Sequence, residues 1–286
     1  MAVRCFDIGG TGVKSALIGQ DKILRNKSER PTPDSLDALL GWMKECIQQA
    51  PAQAISISFP GAVNPQTGFI EGISAVPYIH GVSWYQLLEE YQLPIFIEND
   101  ANCVGLSQLA VDQQTSNFLC VVCGTGIGGA VILNRRLMRG PKAYAGEFGC
   151  MVIDGLEEPV QNWSQIASTG SLVRYVEKHS PRLDFRWNGR HIFEEAQKGD
   201  EICVAAIERM IHNMALGLMN LYYVLDPEII YIGGGISQNK EWIDRIIKRL
   251  EEMTENYEGF PVRPKIAACT YYQDANLMGA YMNSFQ

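Results

Sequence analysis

The chain has 286 residues, 47% of them hydrophobic and 20% charged, which is enough to form the cores of two lobes of ordinary domain size. Its formal net charge of −8, without a block rich in lysine or arginine, excludes nucleic acid and anionic membranes as expected partners. No apolar run approaches the roughly 18 residues of a membrane span, and no signal-peptide pattern precedes the first strand. We therefore expect a cytoplasmic protein that binds a small molecule and keeps its cysteines reduced.

The first predicted element is a β-hairpin whose turn consists mainly of glycine. Residues 3–8 and 13–18 form two β-rich runs. Asp7 lies near the end of the first run, and the turn between the runs contains Gly9, Gly10 and Thr11. Glycines let backbone N–H groups approach a phosphate closely, and the threonine hydroxyl adds a donor. A tight turn without any ligand explains the same residues, so both interpretations stay open.

The rest of the first lobe alternates helices and strands. The sequence predicts a loop-rich segment from Gly61 to about residue 82, long enough to be functional. The regular elements are predicted at 34–49 (helix), 54–59 (strand), 83–91 (helix), 94–97 (strand) and 99–110 (helix).

An acidic motif lies where the strand at 94–97 gives way to the next helix. It reads Glu98-Asn99-Asp100-Ala101-Asn102, and α/β proteins bind ligands at this edge of the sheet. The Asp100 carboxylate could accept the proton of an attacking hydroxyl, and Asn99 could orient that hydroxyl. Alternatively, Asn99 or Asp100 is simply the N-cap of the helix.

A second glycine-turn hairpin opens the second lobe. Residues 118–123 and 130–133 are its predicted strands, and Gly124, Thr125 and Gly126 lie between them. Together with Gly129 these glycines also match the G-x-G-x-x-G dinucleotide fingerprint. That fingerprint must open a helix, whereas here the chain continues as a strand, so a phosphate-binding turn is favoured.

The second lobe is predicted to be rich in helices. Its strand at 228–232 ends in a glycine triplet that includes Gly234 and Gly235, and its last strand is at 265–269. We expect an α/β fold with an N-terminal lobe at 1–98, a C-terminal lobe at 99–272 and an interlobe cleft. A tail helix within 273–286 is expected to pack on the first lobe. The remaining helices are predicted at 170–178, 191–198, 200–225, 241–256 and 274–283.

As an ordered set, these motifs resemble the ROK family of the actin/hexokinase-like fold. The resemblance covers the chain nearly from end to end and adds Ser58-Phe59-Pro60-Gly61, Gly146-Glu147-Phe148-Gly149 and the tail 274–280. It implies a two-lobed actin-like ATPase (ribonuclease H-like) fold with duplicated glycine-turn hairpins. The implied activity is ATP- and Mg²⁺-dependent transfer of a phosphoryl group to a sugar, with the 6-hydroxyl of a hexose as acceptor.

The resemblance also assigns roles to single residues. It implies that Asp100 is the catalytic base and that Gly61, Asn99, Asp100 and Glu147 bind the sugar. Asp7 would hold Mg²⁺ through water. The implied ATP ligands are Asp7, Gly9, Gly10, Thr11, Lys14, Gly124, Thr125, Gly126, Gly234 and Gly235.

The sequence departs from the family pattern at two sugar-binding positions. Cys150 occupies the place of a usual histidine, and Ser164 occupies that of a usual glutamate. The cluster of cysteines that binds zinc in many members is missing, so no zinc is expected. The chain thus looks most like the zinc-less branch with β-glucoside kinases. Glucose, N-acetylmannosamine or fructose as substrate stays open, as does a contact of His80 or Cys150 with the sugar.

Two other classes of function remain as alternatives. The family includes sugar-sensing repressors, but these carry a DNA-binding segment before the first glycine turn, and here only six residues precede Asp7. The glycine fingerprint alone would indicate a nicotinamide-dependent oxidoreductase. The resemblance further suggests a homodimer.

Overall fold

The computed structural model describes residues 1–72, 74–154, 159–182, 184–255 and 264–286. By its internal contacts the chain forms two compact units. Unit 1 consists of residues 1–116, 130–146 and 273–286, and unit 2 of residues 117–129 and 147–272. The last residue of the helix predicted at 241–256 lies outside the described residues.

The strands and helices are numbered in chain order. The strands are β1 (Val3–Ile8), β2 (Gly12–Ile18), β3 (Leu24–Pro31), β4 (Ala54–Phe59), β5 (Ala62–Val63), β6 (Ile70–Glu71), β7 (Ile95–Asn99), β8 (Phe118–Cys123), β9 (Ile127–Leu133), β10 (Arg136–Met138), β11 (Val152–Asp154), β12 (Gln161–Asn162), β13 (Ile229–Gly233) and β14 (Ile266–Ala268). The helices are α1 (Leu36–Gln48), α2 (Trp84–Leu87), α3 (Asp100–Gln108), α4 (Trp163–Ala167), α5 (Thr169–His179), α6 (Gly189–Gln197), α7 (Glu201–Leu225), α8 (Lys240–Glu255) and α9 (Ala275–Asn283).

Unit 1 is built on a sheet with the strand order β3-β2-β1-β4-β7. The β1–β2 hairpin is antiparallel, whereas β1, β4 and β7 run parallel. All residues of β1 and β4 are buried, as expected for central strands with both faces covered. Because the parallel strands end at one edge, Asp7, Phe59 and Asn99 are carried to the same side of the sheet.

Helices α3 and α9 pack against each other in unit 1. An added Cβ on Gly279 of α9 would lie 1.8 Å from the Cys103 carbonyl oxygen of α3, so only glycine permits this close approach. The side-chain hydroxyl of Ser56 on β4 also donates to the Ala280 carbonyl at 2.6 Å. These contacts fix α9 on the sheet and set the position of α3, whose first residue is Asp100.

Unit 2 contains the parallel strands β8, β13 and β14, with β13 between the other two. Helix α7 is its central helix, and Gly217 lies directly against the Trp163 ring of α4. By length and composition α7 could cross a membrane, but most of the relevant window is buried within the protein. Such burial is typical of a core helix, although no segment of this length and apolar character was expected from the sequence.

The main predicted elements are confirmed, with several differences. Strand β9 begins at Ile127, so the second glycine turn is shorter than predicted. The helix predicted at 83–91 is the short α2 followed by a 3-10 turn at Glu89–Tyr91. Strand β3 was not predicted because its residues are mostly polar and exposed at the edge of the sheet. The short elements β5, β6, β10, β11, β12 and α4 were not predicted either.

The contact-based units also divide the chain differently from the expected boundary at residue 98. Helix α3 and residues 130–146 belong to unit 1, together with the tail at 273–286. Helix α3 belongs to unit 1 because it packs on α9, and this contact joins residues that are far apart in sequence. Local sequence patterns cannot reveal a boundary that depends on such a contact.

Candidate active site

Asn99 and Asp100 occupy the junction between β7 and α3. The Asn99 Oδ1 accepts from the Asn102 backbone N–H at 3.0 Å, so Asn99 is the N-cap of α3. Its Nδ2 donates to the Asp100 Oδ1 at 3.0 Å and to the Gly61 carbonyl at 2.9 Å. The amide of Ala101 donates to the same Asp100 oxygen at 2.8 Å. Asn99 therefore caps the helix and also contacts Asp100 and Gly61, so three of the predicted sugar-site residues lie together.

Behind this junction, Glu98 is the centre of a buried polar network. Its Oε1 accepts from the Asn99 backbone N–H at 2.8 Å and from the Asn102 Nδ2 at 2.9 Å. Its Oε2 forms an ion pair with the Arg139 Nε at 2.6 Å. The Arg139 Nη2 in turn donates to the Asn283 Oδ1 of α9 at 3.0 Å. The network holds the start of α3 in place, and the roles of Arg139 and Asn283 carried no local sequence signal.

Gly61 adopts a positive φ of 101°, which favours glycine. A Cβ at this position would lie 3.1 Å from the Glu71 carbonyl oxygen and 3.4 Å from the His80 Cε1. The His80 Nδ1 lies 3.1 Å from the Ile70 carbonyl, which can only accept, so this nitrogen donates, and Nε2 lies 2.8 Å from the Ser74 Oγ. His80 therefore supports the Gly61 turn with both ring nitrogens already engaged.

The first glycine turn is held by backbone contacts that leave its tip exposed. The amide of Gly9 donates to the Gly12 carbonyl at 3.0 Å, and the Thr32 hydroxyl donates to the Gly9 carbonyl at 2.5 Å. Gly10 and Thr11 are exposed. A Cβ on Gly10 would lie 2.5 Å from the Ala75 Cβ, so the close approach of Ala75 also requires a glycine at position 10.

Asp7 is a buried carboxylate with a partner from the C-terminal helix. Its Oδ1 accepts from the Asn276 Nδ2 at 2.9 Å. Burial raises the pKa of Asp7, while the Asn276 hydrogen bond and the charge of Lys14 oppose the increase. Lys14 itself donates to the Gln273 carbonyl at 2.9 Å. Asn276 was not predicted as a site residue, although its position in the tail motif could have drawn attention to it.

In unit 2, helix α5 starts directly on the second glycine turn. The amide of Thr169 donates to the Gly124 carbonyl at 2.9 Å, and the Ser168 hydroxyl donates to the Thr125 carbonyl at 2.9 Å. A Cβ on Gly170 would lie 2.3 Å from the Thr125 carbonyl oxygen. The turn thus uses its carbonyls for protein contacts, and Thr125 and Gly126 are exposed at its tip.

A cavity of about 1060 Å³ opens beside this turn, entirely within unit 2. Gly124, Thr125 and Gly235 line it, so three predicted nucleotide-binding residues share one cavity. Gly234 has a φ of 88°, and a Cβ there would lie 2.1 Å from the Cys123 carbonyl oxygen. The wall also carries apolar side chains that were not predicted. Ile236 directly follows Gly235, whereas the others come from helices and loops distant from the glycine motifs in sequence: Val173, Trp187 and Phe193.

Ser164 and Gly149 pack against the start of β9. The Ser164 Oγ accepts from the Ile127 amide at 2.8 Å, and a Cβ on Gly149 would lie 2.2 Å from that oxygen. Cys150 is exposed. Glu147 is located just before these residues and is exposed, and partial desolvation raises the pKa of its carboxyl. Its role as a sugar ligand stays a prediction.

The described part of the chain contains no group of three or more His, Cys, Asp or Glu side chains able to hold a metal ion. The cysteines of the sequence are free thiols, and Cys120 lies 3.5 Å from Cys269, sulfur to sulfur, rather than paired with Cys123. The predicted Mg²⁺ position depends on the single carboxylate of Asp7, whose oxygen atoms are the ligand type that this ion and its water shell prefer.

These two units and their glycine turns define an α/β protein of the actin-like ATPase fold, which solved ROK kinases share. The ROK family model matches residues 3–283, and the chain belongs to the ROK family. It is 33% identical to a β-glucoside kinase of Listeria monocytogenes, over 100% of this chain and 98% of the relative.

Two solved structures share the fold over nearly the whole chain. A ROK family protein from Streptococcus pneumoniae, solved in complex with sucrose, is 49% identical with a TM-score of 0.94, covering 99% of this chain and 97% of the other. A Listeria monocytogenes protein described as a candidate N-acetylmannosamine kinase is 30% identical with a TM-score of 0.85, covering 100% and 99%. The fold class predicted from the motifs is confirmed, and the chain is a carbohydrate kinase.

Proposed function

We propose that this kinase transfers the γ-phosphoryl group of ATP to the 6-hydroxyl of a hexose or hexoside, with Asp100 as general base. In this step the hydroxyl proton passes to the Asp100 carboxylate as the sugar oxygen bonds to the γ-phosphorus. The bond from that phosphorus to the bridging oxygen breaks, and ADP leaves. Gly61 and Asn99 position the sugar beside Asp100, and Glu147 is proposed as a further ligand.

The geometry of Asp100 is the observation that carries this proposal. Its Oδ1 is held by two donors, the Asn99 side chain and the Ala101 amide, which fixes the orientation of the carboxylate. Asp100 is half-buried at the first position of α3. A fixed carboxylate at the carboxyl edge of a parallel sheet is suited to accept a proton from a bound alcohol.

The nucleotide is proposed to bind with its adenosine in the unit 2 cavity and its phosphates at the glycine turns. The apolar walls suit a purine ring, and the exposed turn residues Thr125 and Gly126 can donate to phosphate oxygens. Gly9, Gly10, Thr11 and Lys14 are the proposed phosphate ligands in unit 1. Mg²⁺, when bound, neutralises charge on the phosphates, and Asp7 is proposed to hold its water shell.

The acceptor is proposed to be glucose or a β-glucoside. The β-glucoside kinase relatives, and the Cys150 and Ser164 departures from the family pattern, support a sugar with room at its anomeric carbon. N-acetylmannosamine and fructose are the alternative acceptors. A homodimer remains a prediction from the family resemblance. A cytoplasmic location and the lack of a structural zinc ion remain predictions from the sequence.

A sugar panel tests the proposed function. We expect sugar-dependent ADP release with glucose and β-glucosides, and a lower kcat/KM with N-acetylmannosamine and fructose. ADP release without any sugar should be slow because water is a poorly positioned acceptor. Equal ADP release with and without each sugar would contradict the proposal. If kcat/KM is highest for N-acetylmannosamine or fructose, that sugar replaces glucose or a β-glucoside as the acceptor.

The Asp7 assignment predicts how the acid side of the pH profile moves in two variants. Asp7 must be ionised to hold the Mg²⁺ water shell, so activity falls as the pH drops through its raised pKa. Asn276→Ala removes a donor that favours the ionised form, so the acid limb of kcat/KM for ATP should move to higher pH.

The opposite shift is expected for Asp274→Asn. The negative charge of Asp274 raises the pKa of Asp7, so its removal should move the acid limb to lower pH. Asp274 forms an ion pair with Lys27 at 2.6 Å. If the two variants move the limb in the same direction, or do not move it, the Asp7 assignment is wrong.

A further inference from the structure

A further cavity, of about 320 Å³, lies in unit 2 and is lined by residues of β12, α4, α5 and α7. Four basic side chains line it, whereas none of the described residues that line it is Asp or Glu: Arg174, Lys178, His179 and Arg209. The chain as a whole has a formal net charge of −8, so the charge of this group is opposite in sign to the overall charge. The cavity therefore has a locally positive potential, which attracts an anion.

These basic groups have no carboxylate partners within the part of the chain that the structure describes. Arg174, Lys178 and Arg209 are exposed and form no ion pair there. The His179 Nδ1 donates to the Tyr175 carbonyl at 2.7 Å, which leaves Nε2 for a ligand. Guanidinium and ammonium groups clustered in this way bind phosphate, to which arginine can donate two parallel hydrogen bonds.

The rest of the lining suits a small carbon skeleton that carries hydroxyl groups. Buried apolar residues and neutral polar residues both contribute, among them Ile166, Leu172, Met210, Gln161, Gln165 and Ser171. The Gln165 Oε1 accepts from the Asn162 backbone amide at 2.8 Å, so its Nε2 can donate to a ligand. A volume of about 320 Å³ is at the lower end for ligand sites, which fits one phosphorylated sugar ring better than a nucleotide.

Arg174 connects this cavity to the proposed nucleotide site, because it also lines the cavity of about 1060 Å³. Its Nη1 would lie 3.2 Å from a Cβ on Gly170, the same Cβ that would lie 2.3 Å from the Thr125 carbonyl oxygen. The guanidinium therefore lies close to the second glycine turn, where its charge favours a bound polyphosphate. An anion bound to Arg174 in the smaller cavity would neutralise part of this charge and weaken ATP binding.

We propose that the smaller cavity is a regulatory site for a phosphorylated monosaccharide, which weakens ATP binding through Arg174. The phosphate would contact Arg174, Lys178 and Arg209, and a sugar hydroxyl would contact Gln165. Binding of this ligand is independent of the proposed function, whereas its effect on ATP rests on that function, because ATP must occupy the larger cavity of unit 2. The product of the proposed reaction belongs to this class of ligand, so the site provides feedback inhibition away from the sugar site.

Calorimetric titration tests the site directly. Glucose 6-phosphate and inorganic phosphate would each be titrated into protein saturated with glucose, so that the proposed sugar site around Asp100 is filled. Glucose 6-phosphate should bind, and inorganic phosphate should bind more weakly because it makes no contact through sugar hydroxyls. The double variant Lys178→Gln with Arg209→Gln should bind glucose 6-phosphate at least about tenfold more weakly, since two charge-assisted hydrogen bonds are lost.

Kinetics provide the second measurement. Glucose 6-phosphate should raise KM for ATP in the unmodified protein but not in the double variant. Lys178 and Arg209 are exposed and do not line the nucleotide cavity, so folding and turnover without added glucose 6-phosphate should be unchanged.

Lys248→Gln with Arg249→Gln is the matched control. These residues are a lysine and an arginine on α8 of unit 2, and neither lines either cavity, so both measurements should match the unmodified protein. Unchanged affinity in the double variant of Lys178 and Arg209, or equally tight binding of inorganic phosphate, would overturn the site for a phosphorylated monosaccharide.

The two parts of the proposal fail separately. If that double variant loses binding while glucose 6-phosphate still raises its KM for ATP, the coupling through Arg174 is wrong. If no sugar gives ADP release, the proposed function and the coupling are both overturned, whereas the titration still decides whether the cavity binds the phosphorylated sugar.

Discussion

Replacing Asp100 with asparagine is expected to lower kcat for sugar phosphorylation by about 10² to 10⁴, the usual contribution of a general base. The asparagine Oδ1 can still accept from Asn99 and from the Ala101 amide, so the start of α3 should keep its geometry. What is lost is the negative charge that receives the hydroxyl proton. The experiment is a coupled ADP assay at saturating sugar and ATP, with ATP binding measured separately.

Asp37→Asn is the matched control for this variant. Asp37 also lies in the first turn of a helix in unit 1, but it is exposed and belongs to α1. Both variants lose one carboxylate near a helix N-terminus, so any effect on helix stability should be similar. Only Asp100→Asn should lose turnover. Normal kcat in Asp100→Asn, or an equal loss in Asp37→Asn, would show that Asp100 is not the base.

Replacing Gly279 with alanine is expected to reduce the free energy of unfolding by about 3 kcal/mol, at the upper end of the cost of overpacking. The added methyl group would lie 1.8 Å from the Cys103 carbonyl oxygen and 2.5 Å from its Cα, so backbone must move. A displaced α3 would also shift Asp100, and a misplacement of about 1 Å can lower turnover roughly 10²-fold. Urea unfolding and the ADP assay measure the two effects.

Gly41→Ala provides the control for Gly279. Gly41 is in the middle of α1, and a Cβ there would meet no atom within 4 Å. Because alanine loses less backbone entropy in a helix than glycine, this variant should gain roughly 0.5–1 kcal/mol. A Gly279→Ala protein as stable as Gly41→Ala would contradict the close packing of α3 on α9.

At the start of α3 the structure adds what the sequence left undecided. The motif from Glu98 to Asn102 marked both a helix cap and a possible base, and the sequence alone left the two in competition. The structure shows that Asn99 caps the helix with Oδ1 while its Nδ2 holds Asp100. The Asn99 side chain thus makes both contacts at once, which no pattern of spacing in the sequence could indicate.

The cavity of unit 2 proposed to bind adenosine shows the opposite situation. Val173, Trp187 and Phe193 come together from separate helices and loops of unit 2. None of them stands in a motif. Their positions depend on how helices and hairpins pack, so the local sequence contains no signal for them.

The sequence by itself determined the main strands, the glycine turns, the acidic motif and the family, because these depend on the backbone preferences and polarity of residues that are neighbours along the chain. Tertiary structure alone decided which distant residues support them: Asn276 beside Asp7, Arg139 beside Glu98, and α9 beneath α3. The physical reason is that hydrogen bonds and close packing act over a few ångströms in space. Residues separated by more than 200 positions, such as Asp7 and Asn276, become neighbours only when the chain folds.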